Sequence, residues 1–305
     1  MKKIKSLFCI GLLLTVATTV NAQSVTWISS TEGNVWQKSK VKLQSKSEQN
    51  PVLQVDGTEN GVVFKNWGTT FNELCWDALG VLTRTEQDEI LYNIFSPQGD
   101  LRITRGRISM GANDYARSWY SCDEVEGDFE LRYFNINRDK QTIIPFIRAA
   151  QKYNPNLTFW ISPWCPPSWM KINGDYPVLS SPFNSLSEKQ NYLLYGATGG
   201  QVDENEMKLT DARDGVFPRQ LATTDFMIQD PRYLQTYADY FCRFIDAYKE
   251  QGIPIDMVMY QNEAYSYTPY PGCAWTAAGT IRFNKEYLAP TLKQMHPEVK
   301  LYLGT

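Results

Sequence analysis

The sequence predicts an α/β protein built around a parallel sheet. Short apolar strands alternate with helical patterns along most of the chain, and polar and aromatic residues cluster where the predicted strands end. No GxGxxG or GxxxxGK sequence follows a strand. The alternation allows a (β/α)8 barrel or a doubly wound sheet. We favour the (β/α)8 TIM barrel, because a barrel collects its functional residues at the carboxyl ends of its strands.

Two short regions precede this alternation. Residues 1–22 contain a lysine-rich start, an apolar stretch over residues 7–16 and a small-x-small site ending at Ala22, which together predict a cleavable signal peptide. The apolar stretch is shorter than the roughly 20 residues that a membrane span needs. We therefore expect a secreted or periplasmic protein without a membrane span. Residues 23–58 are polar with short β-like runs and predict strands outside the main domain.

The main domain is predicted over residues 59–305, as four strand-helix units and a fifth strand. The Thr83–Glu86 capping box and Thr276 mark two of the helix starts. A polar insertion over about 177–229 separates the third strand from its helix. The predicted strands cover residues 61–64, 101–108, 157–161, 255–260 and 299–303, and the later predicted helices cover 139–153, 231–251 and 276–295.

Composition restricts the chemistry. The chain has one histidine, His296, and the five cysteines that follow the signal peptide form no CxxC pair, so a multi-histidine or cysteine metal site is not expected. The net charge of −3 disfavours nucleic-acid binding, which needs a basic surface. With 9 Trp, 18 Tyr and 14 Phe, the chain is rich in rings that could stack on a ligand. Any chemistry is therefore expected from carboxylates, with neither a metal nor an organic cofactor.

Glu263 is the strongest candidate for such a carboxylate. It directly follows the fourth predicted strand and Gln261-Asn262, and four nearby tyrosines could shield it from water. Two carboxylates beside a scissile bond, with rings stacked on the sugar, are typical of glycoside hydrolysis. The alternative is that Asn262 and Glu263 only cap a loop. The four tyrosines are Tyr260, Tyr265, Tyr267 and Tyr270.

Four segments in the same order resemble the motifs of glycoside hydrolase family 30, the glucosylceramidase-like and endo-β-1,6-glucanase-like retaining β-glycosidases. Ala264 departs from the family pattern, which usually has proline after Asn-Glu. The resemblance covers the N-terminal part of the catalytic domain only. The segments are GTTFNE at 68–73, RISMGANDY at 107–115, ISPWCPPSWMKING at 161–174, and QNE at 261–263 followed by PGCAWT at 271–276.

The resemblance implies a (β/α)8 barrel with an accessory β-sandwich and hydrolysis by double displacement, with Glu263 as acid/base. It implies that Asn262 contacts the sugar 2-hydroxyl, that Asp114 and Trp164 hold the glycone, and that Arg107 supports the nucleophile. Each of the last three also has a structural alternative. Asp114 could cap a turn, Trp164 could pack beside a proline, and Arg107 could form an ion pair.

The family's nucleophile is a glutamate at the end of strand seven, and no glutamate of this chain can be assigned to that position. Glu73, Glu204 and Glu206 lie elsewhere in the predicted topology. We therefore expect a barrel truncated after about strand 5, and a 305-residue chain that is inactive alone. Such a fragment would leave open sheet edges and an uncovered apolar barrel interior.

The substrate is less well defined than the mechanism. Export favours a polysaccharide, so a β-glucan with β-1,6 linkages is the leading prediction, and a β-glucoside such as glucosylceramide is the close rival. A non-catalytic carbohydrate-binding relic of the same fold is the main alternative. A purely structural secreted protein would leave the ordered motifs unexplained.

Overall fold

The computed structural model describes residues 24–42, 61, 63–186, 225–264 and 266–304. The chain divides into two compact units, Met1–Val63 and Phe64–Thr305. In the first unit, β1 (Ser24–Thr31) and β2 (Asn34–Lys42) pair as an antiparallel hairpin, with Gly33 at φ 78° in the turn. The strands expected here therefore exist in this part. The signal peptide expected over 1–22 and the stretch 43–58 lie outside the described residues.

The second unit contains a parallel sheet whose strands follow one another in chain order. Each strand pairs with the next, in the order β3-β4-β5-β6-β7. This arrangement confirms the predicted α/β class. The strands are β3 (Gly68–Phe71), β4 (Arg105–Ser109), β5 (Thr158–Ser162), β6 (Ile255–Met259) and β7 (Lys300–Tyr302).

Local capping signals fix two of the helix starts. Thr83 N donates to Glu86 Oε2 at 2.8 Å, and Thr83 Oγ1 accepts from Glu86 N, which completes the predicted capping box. Thr276 Oγ1 accepts from Gly279 N at 3.0 Å at the other predicted start. The helices are α1 (Glu73–Gly80), α2 (Arg84–Phe95), α3 (Ile143–Gln151), α4 (Pro231–Glu250), α5 (Ala277–Arg282) and α6 (Ala289–Met295), with 3-10 turns at Asp139–Gln141 and Ser168–Met170 and a π-helical turn at Phe283–Leu288 between α5 and α6.

The first strand of the sheet was predicted in the wrong place. Residues 61, 63 and 64 of the predicted run at 61–64 are described and are not part of a strand, and Val63 and Phe64 are each 74% exposed. The strand lies at Gly68–Phe71 instead, where the backbone pairs with β4 and Phe71 is fully buried. A glycine suits position 68 because the strands approach closely there. A Cβ atom at this position would lie only 3.1 Å from the Arg105 carbonyl oxygen.

One face of the sheet packs against its helices. Phe71 stacks on Phe95 of α2 at 5.6 Å and meets the edge of Phe146 of α3 at 4.8 Å. Gly106 makes this possible, since a Cβ there would lie 2.5 Å from Phe71 and 2.8 Å from Phe159. Ile108, Ile161 and Val258 continue the same fully buried layer. This layer supplies the apolar burial that stabilises the sheet.

The opposite face of the sheet carries mostly polar side chains on β4 and β5, and Met257 and Met259 on β6. Alternation along β4 and β5 places Arg105, Arg107, Thr158, Trp160 and Ser162 on this side. Arg105 forms an ion pair with an aspartate of β6 and also reaches Thr158 Oγ1 at 3.4 Å. The outer strands of the described sheet are β3 and β7.

The described helices and cysteines complete the account of the fold. None of their helices combines the length and the apolar character that crossing a lipid bilayer requires. Their five cysteines are free thiols, and four of them are buried.

Candidate active site

The carboxyl ends of three neighbouring strands bring the predicted site residues together. Arg107 comes from β4, Asp114 from the loop after it, Trp164 from the loop after β5, and Asn262 and Glu263 from the loop after β6. The guanidinium of Arg107 donates to Asn262 Oδ1 and lies 4.2 Å from the Trp164 ring centroid. The charges of Asp114 and Glu263 both act on Arg107. All five residues therefore share one site.

Arg107 is the centre of this group. Its Nε and Nη2 donate to Ser162 Oγ at 3.1 and 2.8 Å. Its guanidinium lies between two indole rings, with the Trp160 centroid at 4.9 Å and the Trp164 centroid at 4.2 Å. Burial lowers the pKa of Arg107 to about 10, although the nearby carboxylates oppose this shift. Arg107 therefore stays cationic at neutral pH and fixes the orientation of the groups around it.

Asp114 lies inside a turn that Asn113 closes. Asn113 Oδ1 accepts from Tyr115 N at 2.7 Å. Partial burial raises the pKa of the Asp114 carboxyl, and the charge of Glu263 adds to the shift. Arg107 and a hydrogen bond from the Trp164 indole act in the opposite direction. Asp114 is thus an acceptor held between a cation and a second carboxylate.

Glu263 is exposed and sits on an unusual backbone. Its φ is 46°, in the left-handed region that costs a non-glycine residue about 1 to 2 kcal/mol. Asn262 N donates to Pro163 O at 2.7 Å, and Ser266 N donates to Glu263 O at 2.8 Å. These bonds fix the turn that presents the Glu263 carboxyl.

The tyrosines near Glu263 in sequence lie in different environments. Tyr260 and Tyr267 are buried in the core, and the Tyr260 hydroxyl is bonded to that of Thr280. Tyr265 lies outside the described residues. Tyr270 does reach the site: burial raises the pKa of its phenol, and the charges of Asp114 and Glu263 raise it further.

Trp164 is largely buried, with 7% of its surface exposed. Its ring faces the Arg107 guanidinium, and its carbonyl oxygen accepts from Gln261 Nε2 at 2.6 Å. The residue therefore has the packing role that sequence analysis gave as the alternative.

Glu73 serves a structural purpose, in agreement with its rejection as a nucleophile. Arg138 donates to both of its carboxylate oxygens at 2.8 and 2.6 Å, and Arg117 N donates at 2.8 Å. Burial alone would raise the pKa of Glu73, but these bonds lower it overall. Glu204 and Glu206 lie outside the described residues.

Several site residues were missed as site residues by sequence analysis. Ser162 and Trp160 hold Arg107, and Gln261 joins two loops. Ser162 and Gln261 lie inside the quoted motifs, so the motifs were a usable signal. The direction in which each side chain points depends on strand register, which the motifs do not specify.

The described residues contain no cluster of three or more His, Cys, Asp or Glu side chains that could hold a metal ion. What the site offers is an exposed carboxyl, a second carboxyl, an amide and a buried cation. Carboxylates and amides of this kind can bind the hydroxyls of a sugar, and an exposed carboxyl can transfer a proton.

Residues 64–181 match the profile of the glycosyl hydrolase family 30 TIM-barrel domain. These residues are a family 30 segment. The resemblance stated from the motifs is therefore confirmed, and the five parallel strands agree with the α/β fold. The family 30 segment contains Arg107, Asp114 and Trp164, whereas Asn262 and Glu263 lie beyond the matched stretch.

The chain is homologous to glycoside hydrolases. It is 29% identical over 268 residues to "Putative glucosylceramidase 3" of Caenorhabditis elegans, covering 84% of this chain and 42% of that protein. It is 25% identical over 252 residues to endo-1,6-beta-D-glucanase neg1 of Aspergillus fumigatus, covering 81% of this chain and 45% of that protein. The chain thus spans less than half the length of these relatives.

A solved structure shares the fold. SrfJ from Salmonella typhimurium superposes with a TM-score of 0.62 and 19% identity, over 90% of this chain and 52% of that one. At this identity the likeness concerns the fold alone. It extends the agreement in fold beyond the stretch matched by the family 30 profile.

Proposed function

We propose that this chain carries most of the acid/base half of a secreted retaining β-glycoside hydrolase. The observation that supports this most directly is the convergence of Arg107, Asn262 and Glu263 at the ends of neighbouring parallel strands. Convergence of charged groups at that edge is typical of barrel enzymes. Homology to glucosylceramidases and endo-1,6-beta-glucanases gives independent support.

In the proposed reaction, the nucleophilic carboxylate bonds to the anomeric carbon while Glu263 donates a proton to the glycosidic oxygen and the bond to the leaving group breaks. In the second step, the same carboxylate removes a proton from the water that attacks the glycosyl-enzyme intermediate. Its exposed position on a fixed turn suits both steps, because the carboxyl must reach the leaving group and then solvent.

Arg107 determines what Asn262 can do. Because Asn262 Oδ1 accepts from the guanidinium, the amide nitrogen is directed away from Arg107 as a donor. We assign that donor to the sugar 2-hydroxyl, a contact that strengthens in the oxocarbenium-like transition state. The Arg107 charge also lies where it can keep a neighbouring nucleophile ionised.

Asp114 and Trp164 complete the proposed glycone site. The Asp114 carboxylate can accept hydrogen bonds from two adjacent sugar hydroxyls, and the charge of Arg107 favours its ionised form. Trp164 is assigned apolar contact with the sugar through the small part of its surface that is exposed. Both residues belong to the family 30 segment.

The nucleophile is proposed to come from sequence beyond Thr305. Glu73 is engaged by Arg138, and Asp114 is assigned to the glycone, so neither serves as the second carboxylate. This proposal implies a barrel that needs further strands and a 305-residue chain that is inactive alone. Residues 23–58 are proposed to contribute strands to an accessory β-sandwich, and residues 1–22 to direct secretion or periplasmic export.

The proposed substrate is a β-glucan, with β-1,6 linkages as the first choice and a glucosylceramide-type β-glucoside as the second. Both choices follow the names of the relatives. A non-catalytic carbohydrate-binding relic would use the same glycone residues and would bind without turnover.

The test is an assay of the complete gene product on β-1,6-glucan and on an aryl β-glucoside. We expect turnover with retention of the β-configuration, detected by NMR of the first-formed product. Glu263→Gln should abolish turnover of the glucan, whereas the control Glu250→Gln, at an exposed helix end, should not. Binding with no turnover in the wild type would support the relic instead, and a stop codon directly after Thr305 would contradict the hydrolase.

A further inference from the structure

The carbonyl groups on both sides of Glu263 are held by two buried residues. The Gln261 side chain donates from Nε2 to Asn262 O at 2.9 Å, and Trp275 N donates to Ala264 O at 3.1 Å. Asn262 and Ala264 are the residues directly before and after Glu263. The strained left-handed backbone of Glu263 is therefore fixed from both ends.

Gln261 and Trp275 also bind each other. Trp275 Nε1 donates to Gln261 Oε1 at 3.2 Å, and both side chains are buried, with 1% and 0% of their surfaces exposed. The remaining contact of the Gln261 amide is its donation to Trp164 O at 2.6 Å. Both the nitrogen and the oxygen of the Gln261 amide are therefore hydrogen-bonded. Replacing this amide would leave buried groups of Trp164 and Trp275 without their hydrogen-bond partner.

Ala264 is held through its main chain, because its carbonyl oxygen accepts from Trp275 N. The Trp275 ring packs against two other rings, with its centroid 5.6 Å from that of Tyr260 and 5.3 Å from that of Phe283.

We propose that Gln261 and Trp275 are positioning residues that hold the Glu263 carboxyl in the geometry needed for proton donation. The proposal rests on the proposed function and deepens it. Both residues are buried, so the proposed role is exerted through Glu263. Gln261 also links the Glu263 turn to the backbone of Trp164.

The test separates misplacement of the acid from general damage by varying the leaving group. A 2,4-dinitrophenyl glycoside leaves with little protonation, whereas a methoxyphenyl glycoside needs the acid. In the complete gene product, Gln261→Met should lower kcat/KM by about tenfold or more on the methoxyphenyl glycoside, and by less than about threefold on the dinitrophenyl one. Trp275→Phe, which removes the indole N–H, should show the same selectivity more weakly.

Two controls make the outcomes distinct. Gln251→Met, at the distant end of α4, should leave both rates unchanged. Glu263→Gln should show the selective loss in its strongest form, and if it does not, the proposed function fails rather than this inference. Equal losses on both glycosides, or no loss, in Gln261→Met and Trp275→Phe would overturn the inference. If Gln261→Met does not fold, Trp275→Phe decides alone.

Discussion

Arg107 donates a hydrogen bond to the side chain of Asn262, although the two residues are 155 positions apart in the sequence. The bond joins the ends of β4 and β6 across β5, whose Ser162 accepts from the same guanidinium. Three strands are therefore coupled by one side chain on the face of the sheet that lies opposite the helices. The geometry of the candidate site depends on this face rather than on the loops alone.

Arg107→Lys should damage the site more than the fold. A lysine ammonium cannot bind Ser162 and Asn262 in the same fork geometry or stack between two indoles. We expect a loss of about 100-fold in kcat/KM of the complete gene product, as for loss of a well-oriented polar contact at an active site. Arg105→Lys is the matched control, because it lies on the same face two residues earlier. Similar losses in both variants would contradict a special role for Arg107.

Gly106→Ala should destabilise the sheet. The new methyl group would enter the contact between Phe71 and Phe159, and overpacking of this kind typically costs about 1 to 3 kcal/mol. Urea unfolding gives the measurement. Gly80→Ala at the end of α1 meets no atom within 4 Å and should be neutral or slightly stabilising. An unchanged unfolding midpoint for Gly106→Ala would show that the rings can separate without cost.

Asp139 should make stability depend on pH. Burial raises its pKa to about 6, although hydrogen bonds from Tyr248 and Tyr120 at 2.6 and 2.7 Å oppose the shift. The folded state therefore keeps a proton that the unfolded state, with a pKa of about 3.9, releases. The free energy of unfolding should fall as pH rises from about 4 to about 6, by an amount on the order of 1 to 3 kcal/mol, and then level off.

Asp139→Asn should remove this contribution and flatten the profile over the same interval. Urea titrations at several pH values provide the comparison, with Asp100→Asn at an exposed position as the control. A profile of the variant that is as steep as that of the wild type would assign the slope to other groups. Glu73 and Arg138 also act on Asp139, with opposite signs.

Glu73→Gln should affect stability and leave the chemistry intact. The variant loses a charge-assisted pair with Arg138, a type of contact that contributes about 1.5 to 3 kcal/mol. Residual activity per folded molecule should match the wild type, whereas a nucleophile variant would be inactive. Trapping with a 2-fluoro glycoside followed by peptide mass analysis should label a residue other than Glu73. A label on Glu73 would overturn its structural assignment.

Sequence reasoning succeeded where the signal is local or carried by a motif. The Thr83 capping box depends on residues three positions apart, and the structure contains it. The motifs brought Arg107, Asp114 and Glu263 to one candidate site, and they are indeed gathered there. Their assigned roles stay predictions until activity is measured.

The rest depends on contacts that no local pattern encodes. Val63 and Phe64 are apolar but exposed, because β3 is selected by pairing with β4 and by burial of Phe71. Tyr260 lies next to the site in sequence, yet its side chain points into the core. The left-handed backbone of Glu263 is imposed by Gln261 and Trp275, partners that sequence reasoning did not connect.

The contact between Phe71 and Phe95 also bears on how the chain folds as it is synthesised. Phe71 and Phe95, which cover the start of the sheet, are 24 residues apart, and both emerge from the ribosome long before β5, β6 and β7. Contacts at small sequence separation form quickly and need not wait for later strands. A nascent chain can therefore bury this pair of rings before most of the sheet has been synthesised.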